Sequence, residues 1–237
     1  MMGLIRFPDP RFASEEGIVA IGGKLTVENL LAAYRRGIFP WPIEGWPLTW
    51  FCLAERAILE FGRLHVPRRL ERLRRGSALK FTIDRSFSAV IRACAATRRK
   101  DEDGTWITPE VIRAYTELHL AGHAHSVEAW EGETLVGGLY GVEADGAFAG
   151  ESMFHLRPNA SKLALLHLIE HLESRGLDWM DIQVMTPHME ALGAHLLPRD
   201  EFLARLEETR ARGLKLFEQG QSPARAAPSN GMNLIDR

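Results

Sequence analysis

The sequence predicts a mixed α+β fold in which a small N-terminal domain precedes a larger domain. Residues 1–54 are rich in Pro, Gly and Trp and contain one convincing helical pattern. Helical and strand patterns then alternate along the remaining chain. Three of these strand patterns follow one another, separated by turns at Glu131-Gly132-Glu133 and Asp145-Gly146, which predicts an antiparallel meander.

The first predicted helix begins after Thr26, a favourable N-cap, and ends at Gly37. The segment 37–42 contains two prolines and is predicted to be a loop. In order, the later predicted elements are a basic helix near 68–75, a strand at 79–83, helices at 86–95 and 109–120, strands at 125–130, 134–142 and 147–154, a helix at 161–175, a strand at 179–185 and a helix at 198–212.

Each of these elements has a local signal. Leu79, Phe81 and Ile83 alternate with polar or small residues, as in a strand. Thr108 is placed to cap a helix that has Pro109 at its first position. The tail, residues 217–237, is rich in Ser, Pro, Ala and Gly and is predicted to be disordered, which leaves 55–216 as the large domain.

The order of elements in the large domain, β-α-α-β-β-β-α-β, is that of a GNAT-like acyltransferase domain. Fold order alone does not determine chemistry. An acetyl-CoA-dependent enzyme of this fold needs backbone N–H donors before the helix at 161–175. Arg157-Pro158-Asn159-Ala160 stands there instead, and proline lacks that donor.

Composition limits the classes of function. The net charge of −2 gives no general sign of nucleic-acid binding, so such a surface must be local. Cys52 and Cys94 lie far apart without a CxxC partner, which favours buried thiols over a disulfide or zinc site. Neither a signal peptide nor an apolar run of about 20 residues is present, so we expect a cytoplasmic protein without membrane association.

Asp181 and Gln183 are the first candidates for catalysis. On a strand they share one face, whereas Met180, Ile182 and Val184 are predicted to be core on the other. An inward carboxylate and amide need partners or a function. They could orient and deprotonate an attacking amine, or form a structural network that holds a neighbouring loop.

Glu151 is a second candidate, because it shares a strand face with Ala147, Ala149 and Met153. A carboxylate among such residues could receive an ammonium group, and the adjacent Gly150 allows close approach. The alternative is a salt bridge to a lysine such as Lys162.

Two tryptophans and an arginine cluster could contact nucleic acid. Trp41 and Trp106 lie in predicted loops, where an indole can stack on a base for about 1–3 kcal/mol, or simply fill the edge of a core. Arg68, Arg69, Arg72 and Arg75 would form a stripe on a helix anchored by Leu70 and Leu73, suited to phosphates. A solvated face is the alternative, and residues 98–100 (RRK) offer a second basic patch.

Metal and cofactor sites are not expected. His123 and His125 would share a strand face, but no carboxylate or cysteine has the spacing to complete a metal site. The sequence contains no GxGxxG, Walker A or GxSxG motif, and we expect no cofactor.

Several longer segments, taken together, resemble one family, the leucyl/phenylalanyl-tRNA–protein transferases. The similarity extends over roughly residues 7–206. It is carried by 17–23 (GIVAIGG), 30–41 (LLAAYRRGIFPW), 104–108 (GTWIT), 122–127 (GHAHSV), 135–142 (LVGGLYGV), 150–154 (GESMF), 159–162 (NASK), 181–184 (DIQV), 192–194 (LGA) and 198–199 (PR).

The resemblance implies an enzyme that transfers Leu or Phe, and to a lesser extent Met, from aminoacyl-tRNA to proteins with N-terminal Arg or Lys. Such proteins then enter the N-degron degradation route. The resemblance also suggests a monomer. It implies that Asp181 and Gln183 are the catalytic pair, that Trp106 stacks on the 3′-terminal adenine and that Glu151 lies at the aminoacyl end. It assigns the apolar pocket to Trp41, Leu139, Met153, Leu165 and Leu168.

The chain departs from the family in one stretch. The family typically has Trp-Ser-Pro-x-x-Arg after its FPW loop, whereas residues 50–56 here read WFCLAER, and 42–46 are also unusual. Two alternatives therefore stay open. One is a peptidoglycan-type aminoacyltransferase of the Fem group, against which the GTWIT and GESMF segments argue. The other is a tRNA-binding protein that has lost turnover.

Overall fold

The structure is a computed structural model that describes residues 4–97 and 105–218. Within these ranges it has ten strands and seven α-helices. The strands are β1 (Ile18–Ile21), β2 (Phe39–Trp41), β3 (Thr49–Phe51), β4 (Glu55–Glu60), β5 (Lys80–Ile83), β6 (Ala124–Glu131), β7 (Thr134–Ala144), β8 (Ala147–His155), β9 (Trp179–Gln183) and β10 (His195–Pro198). The helices are α1 (Val27–Tyr34), α2 (Arg68–Gly76), α3 (Phe87–Ala96), α4 (Pro109–Leu120), α5 (Ala160–Ser174), α6 (Pro187–Ala191) and α7 (Arg199–Ala211).

The larger sheet has seven strands in the order β10-β4-β9-β8-β7-β6-β5. The predicted meander is confirmed, because β6, β7 and β8 pair antiparallel in sequence. Strand β9 returns beside β8 after α5, and this pair is parallel with a single register contact, Ala149↔Asp181. The mixed α+β class is thus confirmed, while the GNAT-like assignment stays a prediction.

The smaller sheet, β1-β3-β2, lies within the first 51 residues. The predicted loop at 37–42 is wrong in part, because Phe39–Trp41 forms β2. Pro40 is tolerated because β2 is an edge strand, where a missing N–H is acceptable. Strands β1, β3, β4 and β10 were not predicted, since each is short and lacks a clear alternation.

Local capping signals were predicted well. The Thr26 side chain accepts a hydrogen bond from the Asn29 N–H at 3.3 Å, and Thr108 accepts one from Val111 at 3.3 Å. Cys52 and Cys94 are buried free thiols, as expected.

One hydrophobic core joins the two sheets. It runs from Trp50 and Phe39 in the smaller sheet to Ile58 and Leu59 in β4. The predicted boundary at residue 54 falls where the chain passes from one sheet to the other, but it stays a prediction. At the other end, the Phe217 ring stacks on His125 with centroids 3.7 Å apart. Ordered structure therefore reaches past the predicted start of the tail, and residues 219–237 lie outside the described ranges.

None of the helices in the described residues combines the length and the apolar character needed to cross a membrane.

We expect Gly141→Ala to destabilise the meander. A Cβ at Gly141 would overlap the Ala149 carbonyl oxygen and the Phe148 ring. The overlap occurs where the β7–β8 register shifts. Because neighbouring strands cannot separate locally without losing ladder bonds, the variant should lose about 1–3 kcal/mol of unfolding free energy in urea denaturation.

Gly76→Ala is the matched control, because its Cβ would meet nothing within 4 Å at the end of α2. It should be neutral or stabilising by up to about 1 kcal/mol. Equal stability of the two variants would contradict the packing argument.

Candidate active site

A cavity of about 350 Å³ opens where β8 and β9 diverge, and residues of β2, β7 and α5 complete its walls. Its lining residues are Phe39, Pro40, Trp41, Trp106, Leu139, Tyr140, Gly150, Glu151, Ser152, Met153, Leu165, Met180, Ile182, Gln183, Val184, Thr186, His188 and Met189. The walls are mainly apolar, with a few polar groups, as is typical of small-ligand sites.

Most of the predicted site residues meet in this cavity. Trp41, Trp106, Leu139, Glu151, Met153, Leu165 and Gln183 all line it. Two do not. Leu168 is fully buried in α5, about one turn beyond Leu165, so it supports the pocket wall without lining it. Asp181 lies behind the wall.

Gln183 enters the cavity because the backbone turns sharply there. The residue has a φ of 56°, and the Val184 N–H donates to the Ile182 carbonyl at 2.7 Å, as in a γ-turn. With its amide oriented so that the nitrogen donates, Gln183 bonds the Gly150 carbonyl at 2.8 Å. The side-chain amide therefore links β9 to β8 beside the cavity.

The predicted division of strand faces holds only in part. Met180 is buried in the core, as predicted, and Ile182 packs against the core while lining the cavity. Val184 is 40% exposed, so the core prediction is wrong for Val184. Strict alternation fails because β9 ends at Gln183, whose left-handed backbone redirects the next side chains.

Asp181 is held by a buried arginine. The Arg56 Nε donates to Asp181 Oδ1 at 2.8 Å, and Nη2 donates to Oδ2 at 2.7 Å. Asp181 Oδ1 also accepts the Gln183 backbone N–H at 2.9 Å. Because both carboxylate oxygens are occupied, the geometry favours a supporting role for Asp181 over direct proton transfer.

Glu151 faces the cavity from β8 and contacts tyrosine hydroxyls rather than Lys162. Tyr115 donates to Glu151 Oε2 at 3.4 Å, and the Tyr115 and Tyr34 hydroxyls lie 2.5 Å apart. The residue is partly exposed, but Oε1 is buried and has no hydrogen-bond partner in the described part of the chain. Burial raises the pKa of the Glu151 carboxyl to about 8, so it is mostly protonated at neutral pH.

Trp41 and Trp106 lie together at the cavity. Their rings stack with centroids 5.8 Å apart and planes inclined by 29°. One face of Trp106 therefore packs against Trp41, and the indole, which is partly exposed, lines the cavity. Trp41 also makes an edge contact with Phe39 at 6.2 Å.

The predicted arginine stripe lies on α2 and outside the cavity. Arg68, Arg69, Arg72 and Arg75 are all exposed, and Arg75 pairs with Glu71 at 2.9 Å. Leu70 is buried, but Leu73 is 39% exposed, so the prediction that both leucines anchor the helix is wrong for Leu73. The second basic patch, residues 98–100, lies outside the described ranges.

The histidine pair predicted as a possible ligand set has other contacts. The His125 Nδ1 lies 2.7 Å from Asp84, whereas the His123 Nδ1 lies 4.0 Å from Glu143. In the described part of the chain, no three His, Cys, Asp or Glu side chains are grouped to hold a metal ion.

Arg56, Tyr34 and Tyr115 were missed from the sequence. Arg56 directly precedes the apolar run Ala57-Ile58-Leu59 in a buried strand, where a charge requires a partner. Tyr34 and Tyr115 lie on the buried faces of α1 and α4, where nothing in the spacing distinguishes them from core residues.

Comparison with known proteins gives consistent matches. A family model described as leucyl/phenylalanyl-tRNA protein transferase matches residues 58–207, and the model for the N-terminal domain of that family matches residues 23–53. A leucyl/phenylalanyl-tRNA–protein transferase of Anaeromyxobacter sp. (strain Fw109-5) is 48% identical over 226 residues, 94% of this chain and 96% of that protein.

A protein of the same name from Nitratidesulfovibrio vulgaris (strain DP4) is 50% identical over 202 residues, 85% of this chain and 86% of that protein. A solved structure from Staphylococcus epidermidis, of a conserved protein of unknown function, aligns at 10% identity over 76% of this chain and 68% of that one. Its TM-score of 0.36 is too low to assign the fold.

The protonated state of Glu151 predicts a specific pH dependence of stability. Below its ordinary pKa of 4.5 the carboxyl is neutral in both the folded and the unfolded chain. Between pH 4.5 and about 8 the unfolded chain loses this proton while the folded chain keeps it. Glu151 should therefore lower the unfolding free energy as pH rises, by at most about 1.4 kcal/mol per pH unit.

Glu151→Gln stays neutral throughout, so its stability relative to the wild type should increase from pH 5 to pH 8 and level off above that. Urea denaturation of both proteins at several pH values measures the difference between their unfolding free energies. The contributions of the other titrating groups are the same in both proteins and drop out of this difference. A difference that does not change with pH would contradict a protonated Glu151.

Proposed function

The chain belongs to the leucyl/phenylalanyl-tRNA–protein transferase family and is an aminoacyltransferase, and from this premise we propose that it transfers Leu or Phe, and Met less well, to proteins with N-terminal Arg or Lys. The observation that supports these substrates is the cavity between β8 and β9. It combines an apolar wall with a few polar side chains, among them Glu151 and Gln183.

The apolar wall suits the side chain of the donor amino acid. Leu139, Met153 and Leu165 face the cavity together with Met180 and Ile182. Such a wall rejects polar side chains, but each methylene contributes only about 1–3 kcal/mol to discrimination. We therefore expect Leu, Phe and Met to be accepted with graded efficiency.

The partly exposed Trp106 suits the 3′-terminal adenine of the tRNA, which would lie against an indole already supported by Trp41. The exposed arginines of α2 would contact the phosphate backbone farther along the tRNA. No cofactor is required, because the aminoacyl ester is already activated.

In the proposed reaction the N-terminal amine of the acceptor attacks the ester carbonyl. The new amide C–N bond forms, the ester C–O bond breaks, and the tRNA 3′-hydroxyl leaves with the proton given up by the amine. Gln183 orients the attacking amine by hydrogen bonding. The carboxylate oxygens of Asp181 are bonded to Arg56, so Asp181 acts by holding the Gln183 backbone and not by accepting the proton.

We further propose that the enzyme acts in the cytoplasm as a monomer, where charged tRNA and acceptor proteins are both available. The product, a protein with a new N-terminal Leu or Phe, would enter the N-degron degradation route.

Transfer is tested with radiolabelled Leu-, Phe- and Met-tRNA and a model protein that begins with Arg. We expect label on the acceptor, abolished when its N-terminus is acetylated. Asp181→Asn should lower kcat about 10-fold or more, because it weakens the charged support of the Gln183 turn.

Asp178→Asn is the matched control, since Asp178 precedes the same strand but is exposed and pairs with Arg212. It should change kcat by less than about 2-fold. Absence of label with all three donors, while charged tRNA still binds, would instead support a tRNA-binding protein without turnover.

The α2 arginines predict a salt effect that depends on the length of the donor. In Arg68→Gln/Arg72→Gln the KM for leucyl-tRNA should rise. The slope of log KM against log salt should fall by about 0.7–0.9 for each lost phosphate contact. A minimal donor, leucyl-adenosine, should be used equally well by the variant and the wild type.

Arg92→Gln provides the control, because Arg92 is an exposed arginine on a different helix, α3. An unchanged salt slope in the α2 variant, or an equal change in Arg92→Gln, would exclude α2 as the phosphate-binding surface.

A further inference from the structure

Arg56 lies in β4, directly behind the candidate site, and is 1% exposed. Its two hydrogen bonds to Asp181, at 2.8 and 2.7 Å, form a bidentate pair. This geometry depends on the planar guanidinium, and a lysine ammonium cannot reproduce it. The carboxylate of Asp181 is therefore fixed in both position and orientation.

The fixed carboxylate in turn holds the turn at Gln183. Asp181 Oδ1, which accepts from Arg56, also accepts the Gln183 backbone N–H at 2.9 Å. Gln183 has a left-handed φ of 56°, which is unfavourable for a residue with a side chain. The hydrogen bond to a charged acceptor offsets this cost at the residue that enters the cavity.

Arg56 also contacts a residue of the cavity wall. Its guanidinium carbon lies 4.5 Å from the Phe39 ring centroid and 4.6 Å from that of Phe202 in α7. Phe39 lines the cavity and touches Trp41. The two rings pack against the guanidinium that pairs with Asp181.

We propose that Arg56 is a positioning residue for aminoacyl transfer, which acts through Asp181 to present Gln183 to the attacking amine. The inference rests on the proposed function of Gln183, but the physical link from Arg56 to the Gln183 turn can be tested without activity. Arg56 itself touches no substrate, because it lies behind the cavity wall.

The test compares Arg56→Lys with Arg205→Lys. Arg205 pairs with Glu60 of β4 and lies 5.1 Å from the ring of Trp179 in β9. Both substitutions thus disturb an arginine–carboxylate pair that involves β4 and an arginine–aromatic contact. Of these two pairs, only Arg56–Asp181 is hydrogen-bonded to a cavity residue, Gln183. Arg205→Lys therefore controls for a general loss of stability.

We expect Arg56→Lys to lower kcat about 10- to 100-fold, because small displacements of an orienting group reduce the rate steeply. The KM for leucyl-tRNA should stay within about 3-fold and Arg205→Lys should keep kcat within about 2-fold, since neither change reaches the donor pocket. In a Gln183→Ala background, Arg56→Lys should reduce kcat by less than about 2-fold, because the group it positions is gone.

Hydrogen exchange provides the measurement that needs no turnover. The Gln183 amide should exchange about 10-fold faster in Arg56→Lys than in the wild type, while the amides of β7 keep their rates. Arg205→Lys should leave the Gln183 amide unchanged.

Three results would each overturn the positioning role. They are an equal loss of kcat from Arg56→Lys in the wild-type and Gln183→Ala backgrounds, an unchanged kcat in Arg56→Lys, and an unchanged Gln183 exchange rate. Failure of the wild type to transfer would contradict the proposed function instead. In that case, or if Gln183→Ala has no measurable turnover, the exchange rates decide whether Arg56 holds the turn.

Discussion

The candidate site depends on the divergence of two parallel strands. Strands β8 and β9 meet at one register pair, Ala149↔Asp181, beyond which the ladder stops. At Gly150 a Cβ would come within 2.7 Å of the Met180 side chain, so the glycine allows the strands to touch just before they separate. Where β8 and β9 separate, their facing backbone groups no longer bond each other and need other partners. The Gln183 amide bonds one of them, the Gly150 carbonyl, while lining the cavity that results.

At Gln183 the cost of a left-handed backbone is balanced against the stabilisation from a hydrogen bond to Asp181. A left-handed backbone at a non-glycine residue costs on the order of 1–3 kcal/mol. A hydrogen bond to a charged group contributes about 1.5–3 kcal/mol, and Gln183 donates such a bond to Asp181. The two are of similar size, so the bond to Asp181 offsets most of the cost of the turn. The bidentate pair with the buried Arg56 holds Asp181 in place to accept this bond.

Sequence patterns predicted the meander and the long helices, because these depend on local periodicity and capping. The apolar cavity residues among the predictions, such as Leu139, Met153 and Leu165, followed from the resemblance to the family and not from spacing. Thr108 and Pro109 determine the start of α4 without help from distant residues. Arg56 and Asp181 are 125 positions apart, and their pairing depends on β4 lying beside β9, which no local pattern encodes. The left-handed turn at Gln183 was missed for a similar reason, since a tertiary contact stabilises a conformation that glutamine does not favour.

A neutral Glu151 is compatible with the proposed chemistry, although a carboxylate would attract a cationic acceptor more strongly. The attacking amine must be uncharged, and an adjacent carboxylate would raise its pKa and keep it protonated. An apolar cavity with a protonated acid has the opposite effect, because it disfavours the ammonium form. Since burial raises the pKa of Glu151 to about 8, the site would favour the free amine at neutral pH in the proposed reaction. Enclosure of the carboxyl beside Tyr115 would then help to produce the nucleophile as well as shape the cavity.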